Sequence, residues 1–353
     1  MKNVRNNKII KKKYLQFFFS MLLSVLCLQV TTIIDTIIVG NAIGTMEMSG
    51  VKSASPIINF VSVFATLLGV GSGMVISIAL GKRNNKRANY AFTTGIFFSI
   101  VIGLIITFIG IFLSKNIMSI VISDDEILTF GQTYCEIVLS AAPLLILASY
   151  LGYAIRSDGY TKLSMILLIT GGLVNVTFDL IFILGFDMGV KGAAIATDMS
   201  YLISTLIAVI YLFMKNRTLH FINIFKDKNE FKDVSISIFK SGLPSSLRLL
   251  FYSISIMISN YVIGKYIGYM GIAVLTVATN IGLISSVVFQ SSGAAMMPVM
   301  GVLYGEHDYR GIKMLISYVI RFLLIAVFVI VVLVISLAGI IYDIFGISNY
   351  TSE

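Results

Sequence analysis

Apolar residues run along this chain in stretches of about 20 or more, and the charged residues gather between those stretches instead of alternating with them. Nine such stretches stand out, at residues 14–40, 51–80, 90–113, 127–155, 163–185, 189–214, 236–267, 272–304 and 314–345. Each is long enough to cross a bilayer as a helix at a rise of about 1.5 Å per residue. None shows the period-two alternation over about ten residues that a transmembrane β-barrel needs. The pattern predicts an all-α polytopic membrane protein with nine transmembrane helices.

Composition agrees with the pattern. Of the 353 residues, 57% are hydrophobic and 12% charged, against roughly 25% charged in a soluble domain. The net charge of +9 acquires a meaning once it is placed on the segments. With the N-terminus inside, 20 Lys and Arg fall in the inward loops, and only Lys52, Lys115, Lys191 and Lys265 fall in the outward ones. This bias predicts a multi-pass protein of the cytoplasmic membrane with a cytoplasmic N-terminus. No groove-reading or stacking element accompanies the basic runs, so nucleic acid is not an expected partner, whereas the lipid bilayer is. The first apolar run is about twice the length of a signal-peptide core, and it reads as a retained helix. Cys27 and Cys135 both lie in apolar segments and read as packing residues.

The chain also resembles itself. At an offset of 224 residues, Gly40 falls on Gly264, Gly44 on Gly268, Ala54 on Ala278, Gly69 on Gly293, Gly81 on Gly305 and Lys86 on Arg310. The match pairs the first two segments with the seventh and eighth. Six is an even number of helices, so both copies start on the same side, and the expected repeat is parallel, with a pseudo-two-fold axis along the membrane normal. The expected organisation is an N-lobe at 1–215, a cytoplasmic linker at 216–240 and a partial C-lobe at 241–353. A complete second copy would run to about residue 430–440, so the sequence reads as one six-helix lobe plus half of a second.

Ionisable residues inside a span are costly and mark candidate sites. Asp35 lies in the first segment, Asn175 and Asp179 in the fifth, and Thr197 and Asp198 in the sixth. Counting from the nearest segment ends places all of them roughly 8–13 Å below the outer face. Asn175 and Asp179 are one helical turn apart and share a face. Two carboxylates, an amide and a hydroxyl form a hard-oxygen set suited to Na+, or a carboxyl pair suited to carrying a proton. Asp198 is the weaker candidate, as a carboxylate near a helix end that can reach water. Glu136 reads as a solvated residue beside Gln132, and Arg248 as a side chain extended toward the inner face. The run Gly69-Val70-Gly71-Ser72-Gly73 lies inside a span with no preceding strand, and it reads as helix packing, not as a phosphate loop. No Walker A sequence and no nucleophile–base pair in the spans is present, so the chain does not read as an enzyme.

Three stretches resemble the family of multidrug and toxic compound extrusion transporters. They are Arg156-Ser157-Asp158-Gly159-Tyr160-Thr161-Lys162, then Asn175-Val176-Thr177-Phe178-Asp179, and then the run from Gly185 through Gly189, Gly192 and Ala193 to Thr197. Asp35-Thr36 with Val39-Gly40, Gly242-Leu243-Pro244 and the stretch 298–305 are similar to it as well. The resemblance implies two six-helix lobes around a central cavity. It also implies secondary active efflux of cationic or amphipathic organic compounds by antiport against Na+ or H+, with no other cofactor. The family's N-lobe ion site maps onto Asp35, Asn175, Asp179 and Thr197. Expected partners are small organic substrates, and the expected state is a monomer. The alternatives are a lipid-linked oligosaccharide flippase, for whose cavity only Arg248 and Arg321 are candidate basic residues, and a non-transporting fragment.

Overall fold

Long apolar runs leave the backbone nowhere to find hydrogen-bond partners except within the run, and helix is the solution. The computed structural model describes residues 2–121, 124–266 and 269–336. It contains α1 (Lys2–Ala42), α2 (Thr45–Gly81), α3 (Asn85–Val121), α4 (Asp125–Ser140), α5 (Ala142–Ser157), α6 (Thr161–Asp179), α7 (Gly189–Leu212), α8 (Lys228–Tyr266), α9 (Tyr269–Gly305) and α10 (Tyr309–Ser336). Among the described residues seven helices are long and apolar enough to cross a membrane, or eight if α4 and α5 are one broken span. The protein is a multi-pass, all-helical membrane protein. The predicted segment 236–267 falls on α8 as far as Tyr266. The end of the ninth segment, 337–345, lies outside the described residues.

The segment expected as one helix at 127–155 is broken, with α4 and α5 meeting at 53°. Pro143 causes the break, since it lacks the N–H that would bond the Leu139 carbonyl. The freed carbonyls are taken over by a neighbour: Thr107 Oγ1 on α3 donates to Leu139 O at 2.9 Å and to Ser140 O at 3.2 Å. Gly103 lies one turn earlier on α3 and lets that helix press against the Pro143 backbone. The fifth segment also departs from regularity. After Asp179 it widens into a π-helical turn, Leu180–Gly185, and it closes through Asp187 and Gly189, both with positive φ.

One core joins α2, α3, α4, α5 and α7 around Leu68, Phe92, Ile146 and Tyr150. A second joins the first half of α1 to α9 and α10 through Tyr14, Phe18, Ala295 and Leu315, where Tyr14 Oη and Ser292 Oγ are hydrogen-bonded at 2.8 Å. Outward faces of α3 and α10 remain apolar, with Phe112 69% and Phe328 70% exposed, as a lipid-facing surface requires. Residues 213–227 run back along the bundle and are pinned to it, with His220 N bonded to Asn89 Oδ1 and Thr218 N to Asp158 Oδ2. The expected linker 216–240 is therefore irregular only as far as 227, because α8 begins at Lys228. There Arg87 meets Asp233 at 2.7 Å and Glu230 at 3.3 Å.

At the end of the bundle that carries the α2–α3 turn, α2 packs against α8 and α9 almost backbone to backbone. A Cβ at Gly71 would strike the Ile238 carbonyl, and one at Gly242 would strike that of Leu67. Between α2 and α9, Gly73 faces Met297, Ser77 faces Gly301, and Gly81 faces Gly305. The glycine-rich run at 69–73 is thus a packing surface: Gly69 receives the Tyr153 ring, and Gly71 and Gly73 receive α8 and α9.

Candidate functional site

Away from that seam, α1, α4, α6 and α7 converge on a pair of carboxyl groups. Asp179 is the last residue of α6, just before the chain widens into the π-helical turn, a kind of irregularity that recurs at functional sites. Its side chain is 0% exposed, and neither carboxylate oxygen has a hydrogen-bond partner among the described residues. Asp35 approaches from α1, half-buried, close enough for the two carboxyls to interact directly. The close approach of α1 to α6 is made by Gly172, which seats against the Thr31 side chain.

The neutral members complete the cluster. Asn175, one turn before Asp179, points Nδ2 at Thr197 Oγ1 of α7 across 3.5 Å. Thr197 in turn donates to Ala193 O at 3.0 Å. Four of the five residues singled out in the sequence, Asp35, Asn175, Asp179 and Thr197, therefore come together from three helices. Asp198 does not join them. It lies about 100° round α7 from Thr197, and its charge falls beside Tyr201, with Oδ1 buried and unpartnered among the described residues. Glu136 is not simply solvated: its Oε1 accepts from Gln132 Nε2 at 2.7 Å and from Ser114 Oγ at 2.8 Å, which ties α4 to α3. Arg248 is exposed.

Two residues of the site escaped the sequence reading. Tyr134 of α4 brings its phenol to Thr197 and faces both Asp35 and Asp179. A tyrosine in a span is unremarkable by composition, and the sequence carries no signal that singles it out. Lys52 of α2 donates from Nζ to Thr36 Oγ1 at 3.4 Å and lies within electrostatic reach of Asp35. In the sequence it counted only as a loop charge.

Two carboxylates held together in a low-dielectric interior repel one another and lack the solvation that would stabilise them singly. A small cation or a proton between them relieves both costs, and Thr197 and Tyr134 bring hydroxyl groups nearby, with Asn175 turned by its amide nitrogen toward Thr197. Among the described residues no group of three or more His, Cys, Asp or Glu is arranged to hold a metal. A donor set of two carboxylates with neutral oxygens suits a hard monovalent cation or a proton better than a transition metal.

Comparison with known proteins places these features in a wider set. The MatE family model matches residues 20–181 and 244–351. The multidrug export protein MepA of Staphylococcus haemolyticus (strain JCSC1435) is 30% identical over 258 residues, covering 73% of this chain and 57% of that protein. MepA of Staphylococcus aureus (strain MRSA252) is 28% identical over 255 residues, covering 72% of this chain and 56% of that one. The chain thus spans less than two thirds of the length of these curated relatives. A MOP superfamily transporter from Pyrococcus furiosus has the same fold, with a TM-score of 0.88 and 23% identity over 95% of this chain and 74% of the other.

Proposed function

This chain belongs to the MatE family, and on that premise we propose that it serves secondary active multidrug efflux, moving organic cationic or amphipathic compounds outward against an inward flux of Na+ or H+. The observation that carries the proposal is the Asp35–Asp179 pair, with Asp179 buried, Asp35 half-buried, and neither in a salt bridge among the described residues. Coupling requires that the ion and the substrate favour different arrangements of the same protein. A carboxylate pair that is costly when empty and relaxed when loaded supplies that difference for the ion.

The proposal includes nine membrane-crossing helices arranged as two parallel repeats, with the N-terminus on the cytoplasmic side of the cell membrane. Three observations support this arrangement. The two family matches begin 224 residues apart, as do the internal sequence matches. Residues that face one another across α2 and α9, 73 with 297, 77 with 301 and 81 with 305, are also 224 apart. Residues that meet their own repeat partners lie on a two-fold axis. The basic residues Lys82, Arg83, Lys86 and Arg87 cluster at the end of the bundle where this seam lies. With that end inside, the close contact of α2 with α8 and α9 lies on the cytoplasmic side.

The experiment is dye efflux from proteoliposomes carrying the protein, driven by an imposed Na+ or pH gradient. Gradient-driven movement should occur in the parent and disappear in Asp179→Asn at equal reconstitution. Equal gradient-driven rates in the two would overturn the coupling role of the pair.

A further inference from the structure

The charges around the carboxylate pair are unequally distributed. Asp35 is faced by Asp179 from α6, by the neutral phenol of Tyr134 from α4, and by Lys52 from α2. Lys52 is the cation among these groups. It is exposed, lies in the second turn of α2, and is steered toward α1 by donating to Thr36 Oγ1, the residue next to Asp35, at 3.4 Å. No salt bridge closes between Lys52 and Asp35, so the ammonium acts on the site at a distance and leaves the carboxylate oxygens open to a mobile ion. A fixed positive charge placed there competes electrostatically with any cation that binds between Asp35 and Asp179.

We propose that Lys52 is a positioning residue that sets the affinity of the coupling-ion site. Its ammonium, held over the outer flank of Asp35 through Thr36, weakens cation binding enough for the ion to leave again. The inference rests on the reading of Asp35 and Asp179 as the ion site and adds a determinant that this reading does not contain. An antiporter needs such a determinant, since an empty pair of carboxylates in a poorly solvated place binds a cation tightly and an ion that cannot leave cannot be cycled. The Lys52 side chain is flexible and solvent-accessible, so its effect is screened by salt.

The test is cation-dependent stabilisation of the purified 353-residue chain against heat. It is read as a Na+ titration at fixed pH and ionic strength, and as a pH titration without Na+, because a ligand bound only by the folded state stabilises it by RT ln(1 + [L]/Kd); the midpoint compared is the Na+ concentration, or the pH, at which a fixed stabilisation is reached. Removing one unit charge that acts on the site without touching it changes cation affinity by about three- to tenfold at protein-surface dielectric. Lys52→Met should therefore reach that stabilisation at about three- to tenfold lower Na+, or at a correspondingly higher pH. Lys52→Arg should behave as the parent, and the Met variant's advantage should shrink as ionic strength rises. An unmoved midpoint in Lys52→Met, with stabilisation lost in Asp35→Asn, overturns the role of Lys52 and leaves the site intact. Stabilisation retained in both Asp35→Asn and Asp179→Asn overturns the site, and the role of Lys52 with it.

Discussion

Asp179 holds its carboxyl group in a position with no access to water, and neither oxygen has a hydrogen-bond partner among the described residues. Fold stability alone does not favour such a residue, because a buried polar group without a partner costs folding free energy, more so when it is charged. Asp179→Asn should therefore raise thermal stability in the absence of cations, by about 1 kcal/mol or more, while abolishing any stabilisation by Na+ or low pH. A thermal-shift comparison with and without cation checks both signs. Tyr134→Phe separates the accessory ligands from the pair: it should weaken cation stabilisation several-fold without abolishing it, because one neutral oxygen is lost and both carboxylates stay. At this scale the sequence was informative wherever a residue was anomalous for a membrane span, which is why Asp35, Asn175, Asp179 and Thr197 stood out. It was uninformative for Tyr134, ordinary in a helix, and for Lys52, ordinary in a loop. It gave Asp198 as the weaker candidate, because depth along a helix says nothing about which way the side chain points.

The helices themselves were legible from hydrophobic runs, since backbone in lipid has few alternatives. Their irregularities were less so. The break between α4 and α5 follows from Pro143, which is visible in the sequence, but whether a proline kinks or ends a span depends on who satisfies the freed carbonyls. Here Thr107 does so. Thr107→Val keeps the shape and removes the donor that Ser140 O and Leu139 O share, leaving Leu139 O with the Ala141 N–H, at a cost of about 1–3 kcal/mol. Thermal denaturation should show that loss, and Thr107→Ser should restore most of it. The π-helical turn after Asp179 had no sequence signal. It arises where α6 must deliver Asp179 to α1 and still turn through Asp187 and Gly189 into α7.

Across the whole molecule, the close contact of α2 with α8 and α9 is the counterpart of the proposed ion site. Small residues bring those helices together at one end of the bundle, while the carboxyl pair lies well removed from the seam along α1 and α6. If the two arrangements of an antiporter differ by opening this seam, fixing it must stop transport without touching the ion site. Ser77→Cys with Gly301→Cys should cross-link on mild oxidation, block gradient-driven dye movement and leave cation stabilisation unchanged, with activity returning on reduction. The sequence carries matches at an offset of 224, and the positions of α2 and α9 that face one another, 73 with 297, 77 with 301 and 81 with 305, share that offset. The sequence could not say which end of the pseudo-symmetric pair was closed, because both arrangements use the same residues.

The central claim is that the Asp35–Asp179 pair binds the coupling cation, and equilibrium binding tests it without requiring transport. Calorimetric titration of the purified chain with Na+, together with proton uptake measured in weak buffer, should show one cation bound per chain. That binding should be lost in Asp179→Asn and in Asp35→Asn. Binding of the same stoichiometry and affinity in either variant would contradict the account.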